Sequence, residues 1–266
     1  MSKMNSTMEI LKLLPKTNCK DCGEKTCLSF AVLVFKNQKS LNQCPHISAE
    51  DVDVIESDLD TQKNGDADFN IVLEQLKERL GSVDLQEAAQ RVGGTYQDER
   101  LTMRIFGKNF SVNSQGDFFA DIHINFWLTI PVLSYVIDCK GVDLTGKWVP
   151  FRELKGGIDW HRFFEHKCEI PFKKLADSFT DLFEDLLYLF SGKQVQNHYQ
   201  SDVSLVLYPL PRLPVLICYW KPEEGMQSDL NLFFDSSASY NLNIEAIYSL
   251  MTGMVAMFNK ISLRHG

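Results

Sequence analysis

The stretch Leu13-Leu14-Pro15-Lys16-Thr17-Asn18-Cys19-Lys20-Asp21-Cys22-Gly23-Glu24-Lys25-Thr26-Cys27, completed by Cys44-Pro45, decides how the rest of the chain reads. Four of the seven cysteines fall here, spaced C-x2-C-x4-C-x16-C. A cuboidal iron–sulfur cluster needs four thiolates arriving from different directions around a small cage. Cys19 and Cys22 wrap a tight loop in which Gly23 frees the backbone to turn, and Cys27 opens a helix running on to Phe35. The chain leaves along that helix and returns at Cys44. Pro45, which has no N–H and a fixed φ, closes the motif.

Zinc and disulfides are the competing readings of the same cysteines. Structural zinc usually takes two short paired knuckles, and gaps of four and sixteen residues are not that pattern. Disulfides belong to exported chains. The first residues lack a basic patch followed by an apolar core and a small-residue cleavage site, so a cytoplasmic location is expected.

Leu-Pro before the first cysteine, Cys-Gly at the second, Thr-Cys followed by Phe-Ala at the third, and a terminal Cys-Pro are shared with a known module. On these features Ile10 to Pro45 resembles the small 4Fe-4S domain at the amino terminus of the large subunit of corrinoid iron–sulfur proteins, and the matching domain of Rnf-type electron-transport proteins. Lys20 stands where the family more often has glycine, and Asn37 where it often turns at glycine. The resemblance implies one 4Fe-4S cluster held by Cys19, Cys22, Cys27 and Cys44. In corrinoid iron–sulfur proteins the module supports reductive reactivation of an oxidised cobalt centre. The expected function is therefore carriage of single electrons in anaerobic metabolism to a corrinoid or other tetrapyrrole cofactor or its carrier protein. A ferredoxin-like donor or a corrinoid protein is the expected partner. The alternative is a binding or assembly factor, with a structural or sensory cluster and a client-binding carboxy-terminal domain.

Around the ligands, Lys16, Lys20, Lys25, Lys36 and Lys39 are opposed only by Asp21 and Glu24, which predicts a local basic rim suited to an acidic redox partner. The chain as a whole carries a formal charge of -8, which argues against nonspecific nucleic-acid binding. No apolar run spans a bilayer; the best, Ile122 to Ile137, is interrupted by His123, Asn125 and Pro131.

With 266 residues, 44% apolar and 23% charged, the chain has room for one large or two modest globular domains. The pattern predicts an α+β protein: a small helical 4Fe-4S module over 1–60, a polar linker at 61–65, and an antiparallel-sheet domain packed with helices over 66–266. The module starts with an amphipathic helix, Thr7 to Leu14, and Glu50, Asp51, Asp53, Glu56, Asp58 and Asp60 form an acidic segment behind it. Helices are expected at Phe69 to Leu80 and at Leu85 to Val92, the second ended by Gly93-Gly94. Short strands follow at Leu101 to Phe106, Asn109 to Val112 and Phe118 to Ala120. Asn125 to Asp138 reads as a buried helix kinked or broken at Pro131. Lys147 to Arg152 reads as a strand, and Trp160 to Leu189 as helices divided near Pro171. Strands at Val203 to Leu207 and Val215 to Trp220 flank a proline-rich turn over Pro209 to Pro214. A strand at Leu230 to Phe234 and a helix at Ile244 to Phe258 finish the fold.

Gly146-Lys147-Trp148, Leu213-Pro214-Val215-Leu216-Ile217-Cys218-Tyr219-Trp220 and Leu232-Phe233-Phe234-Asp235-Ser236-Ser237-Ala238 are shared with a second family. Through them residues 66 to 262 resemble the domain-of-unknown-function family 3786, which implies no chemistry. Asp121-Ile122-His123 resembles the start of the Asp-x-His-x-x-Gly signature of corrinoid ligation, but Phe126 replaces the glycine. His161 and His166, near Glu165 and Cys168, are five residues apart, poorer than the i, i+4 spacing of helical metal sites. Cys139, Cys168 and Cys218 read as buried thiols. The broad apolar face from Phe172 to Phe190 reads as core. No phosphate loop, dinucleotide fingerprint or nucleophile elbow occurs. A redox carrier or accessory protein is expected rather than a stand-alone catalyst, unless the larger domain holds an apolar pocket with convergent polar groups.

Overall fold

A computed structural model describes residues 7–35, 38–39, 41–47, 69–122, 124–179, 181–196 and 198–265. The chain separates into two compact units, Met1–Ile71 and Val72–Gly266. The linker expected at 61–65, the acidic segment, Lys36, Asn37 and His123 lie outside the described residues.

In the first unit, α1 (Thr7–Leu13) packs on α2 (Cys27–Phe35), and a 3-10 turn, Leu41–Gln43, brings the chain back. Ile10, Leu14, Phe30, Ala31, Val34 and Leu41 form its buried core together with Cys27 and Cys44. So small an apolar cluster supplies little stability on its own, and units of this size are commonly stapled by a metal group.

A helix over 69–80, α3, runs across the start of the second unit and is followed by α4 (Leu85–Val92). Asp84 caps α4 by accepting from the N–H groups of Gln86 and Glu87, and Gly93, at φ +72°, ends it in the left-handed region. An antiparallel meander follows: β1 (Thr95–Gln97), β2 (Arg100–Ile105), β3 (Lys108–Val112) and β4 (Phe118–Ala120). Strand β1 was not expected. Its hairpin turns at Asp98-Glu99, both at positive φ, a conformation usually signalled by Asn-Gly or Asp-Gly.

Helix α5 (Phe126–Asp138) runs through Pro131 without the expected break into two pieces. Its residues 131–136 are all buried, and packing on every side outweighs the one lost backbone hydrogen bond. The strand expected at 147–152 is shorter, β5 (Trp148–Pro150), and gives way to a 3-10 turn, Phe151–Glu153. Next come α6 (Gly157–Phe164), a π turn at Glu165–Glu169, α7 (Ile170–Ser178) and α8 (Leu182–Leu189). The helix is thus not divided at Pro171. The π turn just before it, with Ile170 N–H bonded to Glu165 O, widens the ladder where the proline enters, and the division falls later, α7 ending at Ser178 and α8 starting at Leu182.

The second sheet has the order β5-β9-β8-β7-β6, all antiparallel, from β6 (Lys193–Gln194), β7 (Val203–Leu210), β8 (Leu213–Trp220) and β9 (Asp229–Asp235). The proline-rich turn expected over 209–214 shrinks to Pro211-Arg212. Pro209 sits where the register shifts between Leu207 and Leu210, so its missing N–H leaves no gap in the ladder. β8 is buried on both faces: Val215 and Ile217 face the main core, and Leu216 and Cys218 face a smaller cluster with Trp148, Tyr208 and Phe233. A short helix α9 (Ala238–Asn241) leads into α10 (Ile244–His265), which packs on α5. The whole is an α+β protein. Among the described residues no helix is long and apolar enough to cross a membrane.

Candidate metal centre

The loop before α2 carries the first three cysteines in an unusual backbone. Lys16, Asn18 and Lys20 have φ of +57°, +51° and +69°, and Gly23 has +81°. The residues between them are not in that region, so the handedness alternates along 16–20. Such alternation turns successive N–H groups toward one concave side and makes the anion-binding nests found around phosphates and iron–sulfur centres. Gly23 N–H closes a turn on Lys20 O at 2.9 Å, between Cys19 and Cys22.

Cys27 is the first residue of α2. Thr26 caps that helix by accepting the Ser29 N–H at 3.0 Å, and Asn18 Oδ1 accepts the Cys27 N–H at 2.8 Å. The fourth cysteine follows the 3-10 turn, with Cys44 N–H on Leu41 O at 3.0 Å. Cys27 and Cys44 are buried, Cys22 is half-buried against the same core, and Cys19 is exposed. No three of these thiols lie mutually within 4.8 Å. A single tetrahedral zinc would bring its sulfurs to about 3.8 Å of one another.

Two contacts tie the fourth-ligand arm to the first loop. Lys39 Nζ donates to Cys22 O at 2.9 Å and pairs with Glu24 at 2.7 Å. His46 Nε2 lies 2.7 Å from Asp21 Oδ2, and the hydrogen bond from His46, then one from Cys19, holds the Asp21 carboxyl below its ordinary range. Cys19, Asp21 and His46 place three donor atoms within 4.8 Å of one another. Sequence reasoning missed His46 because a histidine after Cys-Pro has no ligand spacing of its own. Of the expected basic rim, Lys16, Lys20 and Lys25 are exposed, whereas Lys39 is turned inward.

Elsewhere, His166 is exposed and His161 half-buried, and they are not gathered with other donors. Cys139, Cys168 and Cys218 are buried, and burial raises all three thiols, Cys168 to about 12.

The larger unit carries a cleft of about 930 Å³ between the α7–α8 pair and strands β6 to β8. Phe172, Leu175, Leu182 and Leu186 are core as expected, but Phe183 and Leu187 of the same apolar face line this cleft with Val203 and Leu205. At its edge Tyr219 donates to Asp177 at 2.8 Å and Lys173 pairs with Asp177 at 3.1 Å. Burial, then the bond to Asp177, lifts Tyr219 to about 12. Burial works against ionised Asp177, but hydrogen bonds from Ser228, Tyr219 and Lys173 outweigh it and hold the carboxyl low. Among the described residues, the lining of the cleft contains no histidine or cysteine. Its wall is mixed, with Phe183, Leu187, Val203 and Leu205 beside Lys173, Asp177, Glu184 and Lys221.

Comparison with known proteins follows the same division. Residues 14–46 match a family described as "Putative Fe-S cluster". Over 45 residues the chain is 49% identical to the acetyl-CoA decarbonylase/synthase complex subunit gamma of Methanocaldococcus jannaschii, covering 17% of this chain and 9% of that protein. Over 41 residues it is 49% identical to the corrinoid/iron-sulfur protein large subunit of Moorella thermoacetica, 15% of this chain and 9% of that one. A gamma 2 subunit of Methanosarcina thermophila is 44% identical over 48 residues, 18% and 10% of the two chains. The chain thus spans about a tenth of the length of these relatives, and the likeness is confined to an iron–sulfur, corrinoid-related module. No solved structure matches. Residues 84–257, more than half of the chain, match the domain of unknown function DUF3786, and the protein belongs to that family.

Proposed function

We propose that Cys19, Cys22, Cys27 and Cys44 hold one 4Fe-4S cluster and that the protein carries single electrons in the cytoplasm of an anaerobe. The observation that carries this reading is the alternating backbone of residues 16–20. Its φ changes sign from residue to residue, as in anion-binding nests, in a loop whose cysteines continue into a core containing Cys27 and Cys44. Bound there, the cluster supplies a one-electron couple. The chain's own part is to fix four thiolates, exclude water behind Ile10, Leu14 and Phe30, and present Lys16, Lys20 and Lys25 to an acidic donor of the ferredoxin kind. The names of the relatives support a corrinoid or other tetrapyrrole cofactor, or its carrier protein, as acceptor.

A second reading is a binding or assembly factor whose cluster is structural or sensory. The cleft beside α8, with Phe183, Leu187, Val203 and Leu205 in its wall, supports it, as does the small core of the first unit. Iron and acid-labile sulfide in anaerobically purified protein, beside Cys44→Ala, test the centre. Four of each per chain, diminished in the variant, support the proposal. One zinc without sulfide overturns it and leaves Cys19, Asp21 and His46 as a mononuclear site. Reversible reduction by a low-potential ferredoxin then separates a carrier from a redox-silent structural cluster.

A further inference from the structure

We infer that Lys39 and Glu24 form an opposed charge pair that sets the reduction potential of the centre, Lys39 raising it and Glu24 lowering it. This rests on the four-cysteine reading above and assigns a role to two residues that ligate nothing.

Lys39 lies on the arm that brings the chain from α2 toward Cys44, and its own N–H bonds Leu33 O at 3.3 Å, which fixes the arm to the helix. Its ammonium reaches across to the carbonyl of Cys22 at 2.9 Å, a few covalent bonds from that residue's thiol sulfur. The ammonium is held at 2.7 Å from Glu24, and the two side chains are only 24% and 22% exposed. The other lysines of the loop, Lys16, Lys20 and Lys25, are solvated, and water and salt screen them. Among the described lysines of the first unit, Lys39 is the cation with both a fixed position and partial shelter.

Reduction adds one negative charge to the centre. A fixed cation beside a ligand backbone favours the reduced state, and a fixed carboxylate favours the oxidised one. Because Glu24 sits on the same ammonium, it subtracts from the effect of Lys39, and the two substitutions must move the potential in opposite directions. A pair that only tied the arm to the loop would have a different signature. Either change would loosen the centre, and neither would impose a sign.

The test is a redox titration followed by electron paramagnetic resonance on the anaerobic full-length protein, with iron and sulfide measured on every sample. Lys39→Met is expected to lower the potential, Glu24→Gln to raise it, and Lys39→Arg to stay near the parent. If Lys39→Met loses its cluster, the sign of the Glu24→Gln shift decides the matter by itself. A loaded parent whose potential ignores both changes, or moves the same way for both, overturns the charge pair and leaves the cluster reading standing. A parent without iron and sulfide overturns the cluster reading itself.

Discussion

Asn18 accepts the backbone N–H of Cys27 at 2.8 Å from nine residues upstream, while its own backbone stands at φ +51°. Asparagine is among the few side chains that tolerate this region, and its short amide both relieves the turn and satisfies an orphan donor at the start of α2. Asn18→Ala loses both and is expected to reduce hydrogen-exchange protection of residues 27–35 by about tenfold, from about 1–2 kcal/mol. Asn18→Gly keeps the turn and isolates the hydrogen bond. Equal protection in all three proteins would show that the bond carries nothing.

Lys20 holds φ +69° with a side chain that has no local means of relieving it. The related module more often has glycine there, and the structure supplies the reason. Lys20→Gly is expected to stabilise the loop by about 0.5–1 kcal/mol, the relief of left-handed strain less the entropy of glycine. Slower hydrogen exchange over residues 19–23 would register the gain, whereas Lys20→Val should speed it.

The legibility of this chain follows from where its information is local. The ligand loop could be read because turn, cap and helix start each sit within a few residues of one another: Gly23 at +81°, Thr26 as cap, Cys27 as first helical residue. Helices α4 and α5 declared themselves through their apolar runs and, for α4, the Gly93-Gly94 stop, whereas the Asp84 cap showed only in the structure. What was hidden depends on distant partners. Strand β1 turns at Asp98-Glu99 with a glutamate where hairpin turns favour glycine, and the π turn widens the ladder before Pro171 with no spacing signal of its own. The tie from Lys39 to Cys22 spans 17 residues, and Tyr219 to Asp177 spans 42. Periodicity carries no signal at such separations.

Gly253 shows the same limit with the sign reversed. Inside α10, helix propensity alone predicts that alanine would stabilise by about 1 kcal/mol. The indole of Trp127, from α5, occupies the space a Cβ would need. Gly253→Ala should instead destabilise by about 2–3 kcal/mol through overpacking, seen as a fall of several degrees in the melting temperature. A variant as stable as the parent would mean that α5 and α10 do not touch as described.

Glu169 gives the larger unit a pH dependence. Burial lifts its carboxyl to about 7, helped by Glu165 and Asp229 and opposed by the hydrogen bond from Leu232 N–H. An acid raised in the folded state keeps its proton there after the unfolded chain has lost it. Stability from this group is therefore complete below about 4.5 and declines as pH rises to about 7. The full swing is about 3 kcal/mol as an upper figure. Glu169→Gln retains an acceptor for Leu232 and should raise the melting temperature at pH 8 while leaving it nearly unchanged at pH 4.5. An equal effect at both values would remove the assignment.

Asp235 is the opposite case, a buried carboxylate that stays ionised. Burial works against its charge, but Ser237 donates through its hydroxyl at 2.7 Å and its N–H at 2.9 Å, Thr145 through its N–H and hydroxyl at 3.0 Å each, and Gly146 through its N–H at 2.7 Å. Together these outweigh burial and hold the carboxyl below its ordinary range. The stability it contributes is present above the unfolded value of 3.8 and is lost as pH falls through the lower folded value. Asp235→Asn turns one acceptor into a donor facing donors, which should cost about 2–3 kcal/mol. Because the bonds to Thr145 and Gly146 hold the segment entering β5, the loss should be largest in hydrogen exchange of residues 145–150. Uniform loss across the unit would instead assign Asp235 to global stability and not to anchoring that loop.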